Sequence, residues 1–104
     1  MIREPRHSHT ALRVLKHFIE NASGEVSGAE LSRKLGIASG SLYPILFRYE
    51  QAGWLNSRWE EIDPSVAARP RRRFYRLGDL GRRRATELIE EVSISIGEPQ
   101  WSPG

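Results

Sequence analysis

A short connection bounded by two glycines joins two amphipathic helical segments near the middle of this 104-residue chain. The connection covers residues 36–40, and a capping box of Ser27 and Glu30 opens the helix before it. The helix after it has an apolar stripe at helical spacing, made of Leu42, Ile45, Leu46, Tyr49 and Ala52. Two helices joined by so tight a turn are typical of a helix-turn-helix.

The sequence alone does not decide at which residue that second helix begins. With Ser41 as N-cap, Pro44 falls in the first turn, where its missing amide donor costs nothing. With Ser39 as N-cap, the proline lies one turn deeper and introduces some strain. In both cases Gly53 ends the helix.

The flanking segments complete a known order of elements. A first helix is predicted from an N-cap at Thr10, and residues 25–26 can add one short strand. Residues 54–59 and 72–77 alternate as strands do, and a loop over 60–71 joins them. Three helices followed by two strands with a protruding loop make a winged helix. The predicted fold class is therefore mainly α with a small β-wing (α+β).

A final helix, predicted from Asp79 to Ile96, follows a winged core that is complete without it. Its apolar stripe needs another surface, which is either the first helix of the same chain or a second subunit. We favour a second subunit, because a single module of this length is marginally stable and gains from an added interface. The expected dimer interface comprises Leu12, Leu15, Phe18, Ile19, Leu88, Ile89, Val92 and Ile96.

Positive charge is concentrated in one part of the chain. Of 16 Lys and Arg, eight arginines lie within residues 69–84 beside a single acid, Asp79, while the other 88 residues have eight basic and 12 acidic groups. Such a cluster predicts a polyanion partner. The final helix supports this prediction, because Arg82–Arg84 stand at its start and its glutamates near its end, the reverse of what the helix dipole favours. An external anion near these arginines would explain that order.

These features together predict a DNA-binding surface. A recognition helix over 39–53 would enter the major groove, and an Arg-rich wing over 60–76 would contact the backbone or the minor groove. Three alternatives stay open: the two serines can act as helix caps, Tyr43 can merely shield the core, and Arg48 can pair with an acid of its own chain. The predicted DNA contacts are Ser39, Gly40, Ser41, Tyr43, Arg48, Arg69, Arg71, Arg72 and Arg73.

Several function classes find no support in the sequence. The chain has no Cys, which excludes a disulfide scaffold and a thiolate metal site. No Gly-rich phosphate loop and no paired carboxylates in an apolar setting are present, so we predict a protein that is not an enzyme and needs no cofactor or metal. The longest apolar run, residues 42–47, is interrupted by Pro44 and is far too short for a membrane span. We therefore expect a soluble, cytoplasmic protein.

The predicted organisation is one DNA-binding domain with accessory ends. The length fits a single domain. The segments are a flexible arm (1–9), a winged helix-turn-helix domain (10–77), a C-terminal dimerisation helix (78–96) and a flexible tail (97–104) in which Trp101 is exposed.

Two stretches resemble a known family. Residues 39–54, SGSLYPILFRYEQAGW, resemble the PadR-family stretch S-G-x-[LV]-Y-P-x-L-x-R-L-E-x-x-G, and residues 69–77, RPRRRFYRL, resemble the family's wing, GRPRRxYYRLT. The resemblance implies a winged-helix transcriptional regulator, usually a repressor, that binds a pseudo-palindromic operator as a homodimer. It also implies that the C-terminal helix mediates dimerisation, as in the short branch of the family, and that some relatives bind an effector at the dimer interface.

The chain departs from the family pattern at three positions. Ala68 replaces the usual wing glycine, Gly78 replaces a Thr cap, and Tyr49 replaces a Leu. The alternative function is a winged helix that serves as a protein- or RNA-interaction module without operator binding.

Overall fold

Eight elements follow one another in the order of a winged helix in this computed structural model, which describes residues 7–21 and 24–95, with side chains as far as Val92. The predicted fold class is confirmed. The predictions for Ile96, Trp101 and the tail lie outside the described residues. The elements are α1 (His9–Glu20), β1 (Val26–Ser27), α2 (Gly28–Leu35), α3 (Ser39–Gln51), β2 (Leu55–Trp59), α4 (Pro64–Ala67), β3 (Arg73–Leu77) and α5 (Asp79–Ser95).

The three strands form one antiparallel sheet in the order β1-β3-β2. The short first strand was predicted, and it pairs Val26 with Tyr75. The wing strands pair in a register that places Leu55 opposite Leu77 and Trp59 opposite Arg73. Since side chains alternate along a strand, Tyr75 and Leu77 face the core and Arg76 faces solvent.

Helix starts agree with the sequence prediction at α2 and differ from it at α1. The amide of Glu30 donates to the Ser27 hydroxyl at 3.0 Å, as the capping box predicts. The Glu30 carboxylate, however, pairs with Lys34 at 2.9 Å. The prediction of Thr10 as N-cap of α1 is wrong, because Ser8 accepts from the amide of Ala11 at 3.0 Å and the helix begins at His9.

Neither of the two serines considered as N-cap of α3 has that role. The cap is Ala38, which makes no side-chain bond, and its carbonyl accepts from the amides of Ser41 and Leu42 at 2.9 Å each. Pro44 therefore lies in the second turn, deeper than either alternative placed it. The hydroxyls of Ser39 and Ser41 are exposed and not used as caps.

The core lies between the helices and the sheet, and α5 closes it. Leu15 and Phe18 of α1 are 0% and 2% exposed, so these two residues predicted for the dimer interface pack inside one chain. The helix α5 contacts α1 of the same chain, which was the alternative that we did not favour. The helix α5 also approaches the backbone of Trp54 closely. This approach depends on Gly81, where a Cβ would stand 2.0 Å from the carbonyl oxygen of Trp54.

An aromatic stack links the residues before α1 to the end of α3. Tyr49 and Trp54 stack with centroids 5.1 Å apart, and His7 stacks on Trp54 at 5.5 Å. The Tyr49 hydroxyl lies 2.9 Å from Nδ1 of His7. Burial raises the pKa of Tyr49 to about 12, so its hydroxyl stays protonated.

The wing contains a short helix that the sequence prediction missed. The Asp63 side chain accepts from the amide of Ser65 at 3.0 Å, with Pro64 at the first helical position. This pairing of an Asp N-cap with a following Pro is a known helix start, and it was the available signal. The helix ends at Ala68, which adopts a left-handed conformation with φ 60° although it is not glycine. None of the helices in the described ranges is long and apolar enough to cross a bilayer.

Candidate nucleic-acid interface

A groove of about 620 Å³ separates the starts of α2 and α3 from the wing. One wall comes from the helices and the other from the two wing strands and their arginines. The lining residues are Ser27, Ala29, Tyr43, Trp59, Arg69, Pro70, Arg71, Arg72, Arg73 and Tyr75. Five predicted DNA contacts therefore meet at one surface.

The start of α3, one turn before Tyr43, presents small and polar groups to solvent. Ser39, Gly40 and Ser41 are all exposed. The first amides of a helix have no acceptor within it, and they favour an anion. Since the serine hydroxyls do not cap the helix, they are free to donate to a phosphate oxygen.

Tyr43 is held at the groove by a close approach to α2. Its side chain is 40% exposed. Its ring lies over Gly28, where a Cβ would stand 2.5 Å from the Tyr43 hydroxyl oxygen. Gly28 thus has a role in positioning Tyr43 beyond its place in the capping box, which the sequence analysis did not assign.

Arg48 is exposed on α3, outside this groove. Within the described part of the chain its guanidinium makes no salt bridge, whereas the sequence left open a pair with an acid of the same chain. Its charge is available for an external anion.

Arg69 braces the wing from within. Its guanidinium donates to both carboxylate oxygens of Glu60, at 2.8 and 2.9 Å. The same carboxylate accepts from the amide of Arg72 at 3.2 Å. The hydrogen bonds from Arg69 hold the pKa of Glu60 well below its usual value, at about 2. Arg69 is therefore engaged in an internal pair.

Arg73 ties the wing to the recognition helix. Its guanidinium lies 3.4 Å from a carboxylate oxygen of Glu50 in α3 and 4.9 Å from the centre of the Trp59 ring. The same Glu50 oxygen accepts a hydrogen bond from the hydroxyl of Ser57. These contacts join the wing to α3, the helix that contributes Tyr43 to the groove.

Arg71 and Arg72 are the two groove arginines that make no salt bridge within the described part of the chain. Arg71 donates from Nε to the carbonyl of Ile62 at 3.0 Å, which leaves its terminal nitrogens unused. The Arg72 side chain is exposed, and it makes no hydrogen bond or salt bridge with any described residue. The groove thus has two kinds of arginine: a braced pair and a free pair.

The sequence did not predict the ion pair between Arg58 and Glu25. Arg58 donates to both carboxylate oxygens of Glu25, at 2.8 and 2.7 Å, and its guanidinium lies 5.0 Å from the centre of the Phe74 ring. The Arg58 hydrogen bond lowers the pKa of Glu25. Arg58 faces Phe74 across the strands, and only the strand register could have indicated this contact.

The predicted dimer residues on α1 and α5 fall into two groups. Leu15 and Phe18 are buried in the chain. The remaining described ones keep part of their surface, and they are Leu12, Ile19, Leu88, Ile89 and Val92.

The arginines at the start of α5 lie outside the groove. Arg82 and Arg83 are exposed. Arg84 lines a cavity of about 170 Å³ with Trp54 and residues of α5. In the described ranges, no group of three His, Asp or Glu side chains is placed to hold a metal ion.

Known proteins share both the sequence pattern and the fold. A protein-family model described as "Transcriptional regulator PadR-like family" matches residues 14–87. The transcriptional regulator Rv3488 of Mycobacterium tuberculosis is 34% identical over 103 residues, which cover 91% of this chain and 89% of that protein.

Two solved structures are similar to this chain in fold. A PadR-family regulator from Eggerthella lenta DSM 2243 has a TM-score of 0.68 and 24% identity, and the match covers 90% of this chain and 83% of that one. A PadR-like regulator from Bacillus cereus has a TM-score of 0.64 and 22% identity, with 90% and 93% covered.

Proposed function

The chain belongs to the PadR-like family of transcriptional regulators, and we propose that it is a repressor that binds a pseudo-palindromic DNA operator as a homodimer. As a member of this family it is a transcriptional regulator and not an enzyme. Since its partner would be chromosomal DNA, its place would be the cytoplasm. The repressor role rests on the family resemblance alone.

The observation that carries the proposal is the groove between α3 and the wing. The Arg69–Glu60 pair lies within the wing and the Arg73–Glu50 pair joins the wing to α3, and the two pairs use only part of the positive charge of the wing. Arg71 and Arg72 remain with donors that no acid of the described chain neutralises. Arginine is well suited to phosphate, because its planar guanidinium offers two parallel donors.

In the proposed complex α3 lies in the major groove and the wing lies beside it. The hydroxyls of Ser39, Ser41 and Tyr43 donate to phosphates near the start of the helix. Arg48 contacts the backbone or a base edge on the far side of α3. Arg71 and Arg72 contact the backbone or the minor groove, where width and potential are recognised more than base identity.

A pseudo-palindromic operator consists of two similar half-sites, and each half-site would be bound by one chain. We assign the dimer contact to α1 and α5, through the described residues that stay partly exposed in the single chain: Leu12, Ile19, Leu88, Ile89 and Val92. The sequence prediction adds Ile96 to this set. Two recognition helices related by a two-fold axis would lie about 34 Å apart, one turn of DNA.

An effector at the dimer interface has less support. The cavity beside α5, lined by Trp54, Leu88 and neighbouring residues, has about 170 Å³. Pockets for drug-sized ligands usually have roughly 300–1,000 Å³. A larger site would have to form between two chains.

The test compares two pairs of arginines. DNA is first selected from a randomised library by the wild-type protein, and affinity for it is then measured by fluorescence anisotropy over a range of salt concentrations. Replacing Arg71 and Arg72 with Ala should lower affinity about ten-fold or more, since each arginine gives up a charged hydrogen bond. The slope of log K against log salt should flatten by roughly 0.9 for each phosphate that the variant no longer neutralises.

The matched control replaces Arg82 and Arg83 with Ala. This change removes the same charge from exposed arginines outside the groove, so affinity should fall far less. An unchanged affinity and an unchanged salt slope in the Arg71 and Arg72 variant would remove the wing from the DNA contacts, and a loss in the Arg82 and Arg83 variant as large as in the wing variant would place the start of α5 on the DNA as well. A wild-type protein that enriches no sequence at all would reject operator binding and favour a protein- or RNA-interaction module.

A further inference from the structure

The side of α3 that faces away from the core has no charged group along its centre. Leu42, Ile45, Leu46 and Tyr49 fill the inner side and are buried. Positions 40, 44, 47 and 51 follow one another at helical spacing on the opposite side, and all four are exposed. The largest side chain among them is Phe47, which is 60% exposed.

Phe47 and Pro44 form a small apolar patch on this outer side. They are three residues apart, so they are neighbours on the helix surface. Neither side chain offers a hydrogen-bond donor or acceptor, and the proline ring takes the place of an amide hydrogen. This patch cannot recognise a base by hydrogen bonding.

Gly40, one turn before Pro44, has no packing reason within the chain to be glycine. A Cβ at this position would meet nothing within 4 Å, and the residue does not adopt a positive φ. Alanine is the better helix former at such a site. The missing side chain is explained if something outside the chain approaches the start of α3 closely.

Charge borders the apolar patch without entering it. Helical spacing places Arg48 on one flank of α3 and Tyr43 on the other, and Arg71 and Arg72 line the groove beside Tyr43. DNA has the complementary arrangement, since its phosphates line the edges of the major groove and its base edges form the floor. The patch would therefore lie over the bases while the arginines meet the backbone.

On these grounds, and resting on the DNA binding proposed above, we propose that Phe47 is a specificity-determining residue that contacts the C5-methyl group of a thymine in each half-site. The thymine methyl group is the apolar feature that base pairs display in the major groove, and Phe is one of the side chains that contact it. Insertion of an aromatic ring between base steps belongs to minor-groove binders, so the ring lies against the methyl group.

The test removes only that methyl group. In the DNA that the wild-type protein selects, each thymine of the half-site is replaced in turn by deoxyuridine, which keeps the base pairing. At one position per half-site, the affinity should fall about four-fold. This is the effect expected when one apolar carbon is no longer buried against the protein. In Phe47→Ala, affinity for the thymine DNA should fall by at least as much, and deoxyuridine at that position should have no further effect.

Two further variants separate methyl contact from general binding or folding. Phe47→Leu keeps an apolar side chain and should retain part of the deoxyuridine effect. Arg72→Ala should weaken thymine and uracil DNA equally and keep the four-fold difference between them. Phe47→Ala should leave the slope against salt unchanged because it removes no charge.

The outcomes distinguish this inference from the function on which it rests. Selected DNA that binds tightly but shows no deoxyuridine effect, or the same effect in Phe47→Ala, would overturn the thymine contact and leave operator binding intact. If no DNA is selected, operator binding fails and the thymine contact fails with it.

Discussion

Three glycines in the helices of this chain are constrained in different ways. At Gly81 a Cβ would meet the carbonyl oxygen of Trp54 at 2.0 Å, and at Gly28 it would meet the Tyr43 hydroxyl oxygen at 2.5 Å. At Gly40 it would meet nothing within 4 Å. Gly81 is required by packing because its neighbour is backbone, whereas the exposed Tyr43 side chain beside Gly28 can turn away, and nothing in the described chain requires Gly40. The sequence alone marks all three only as glycines.

The contrast predicts opposite effects of one substitution. Gly81→Ala should lower the free energy of unfolding by about 1–3 kcal/mol or more, since the Trp54 backbone cannot move aside cheaply. Gly40→Ala should raise it by up to about 1 kcal/mol through better helix propensity, and should weaken binding to selected DNA. Urea denaturation and anisotropy measure the two quantities. Equal stability of both variants would contradict the close approach of α5 to Trp54.

At the scale of elements, the wing shows what a sequence can and cannot specify. Its two strands and its basic character follow from alternation and from local charge. The division of its arginines does not, because Arg69 pairs with an acid nine residues away and Arg73 with one 23 residues away. Such pairs depend on the strand register and on how the wing meets α3.

The sequence was sufficient to predict a helix end where a single capping residue determines it. Ser27 caps α2 as predicted, and Gly36 ends it with φ 66°. The sequence was insufficient at α3, where Ala38 is the cap and contributes no side-chain bond. The start of that helix is set by tertiary packing of its apolar stripe, which overrides the preference for a serine cap.

The Glu60–Arg69 brace predicts a pH dependence of stability. Because Arg69 lowers the pKa of Glu60 from 4.5 to about 2, the brace contributes stability above pH 4.5. This contribution is lost as the pH falls through the range from 4.5 to 2. In Glu60→Gln, the loss of stability over that range should be smaller than in the wild type, as measured by urea unfolding at several pH values.

Glu61→Gln is the control for this comparison. Glu61 is the neighbouring acid and makes none of the hydrogen bonds to Arg69. Its pH profile should follow that of the wild type. If Glu60→Gln shows the wild-type profile as well, the brace contributes nothing measurable to stability.

At the scale of the whole molecule, the single chain itself covers some of the apolar side chains that a second subunit was expected to cover. The helix α5 packs on α1 of its own chain, and Leu15 and Phe18 of α1 are buried in the core of that chain. Leu12, Ile19, Leu88, Ile89 and Val92 keep part of their surface. A second copy can cover these residues without disturbing the core, so folding of one chain and assembly of two are separable.

This separation predicts a folded monomer. Ile89→Glu with Val92→Glu places two charges on the half-covered side of α5, and burying unpaired charges in an interface is costly. The double variant should have a mass near 11.9 kDa by light scattering, while the wild type has about twice that mass. Its far-UV circular dichroism should stay that of a folded chain. Affinity for a two-half-site DNA should collapse to that for a single half-site, because the two recognition helices are no longer linked.

The control is Leu80→Glu, which adds a charge to a side chain of α5 that is 37% exposed and outside the assigned interface. This variant should remain a dimer and keep its preference for two half-sites. A wild-type protein near 12 kDa at micromolar concentration would contradict the dimer, and operator recognition would then have to come from one helix and one wing. Both charged variants would in that case bind a single half-site as the wild type does, because none of the three changed residues lies on α3 or the wing.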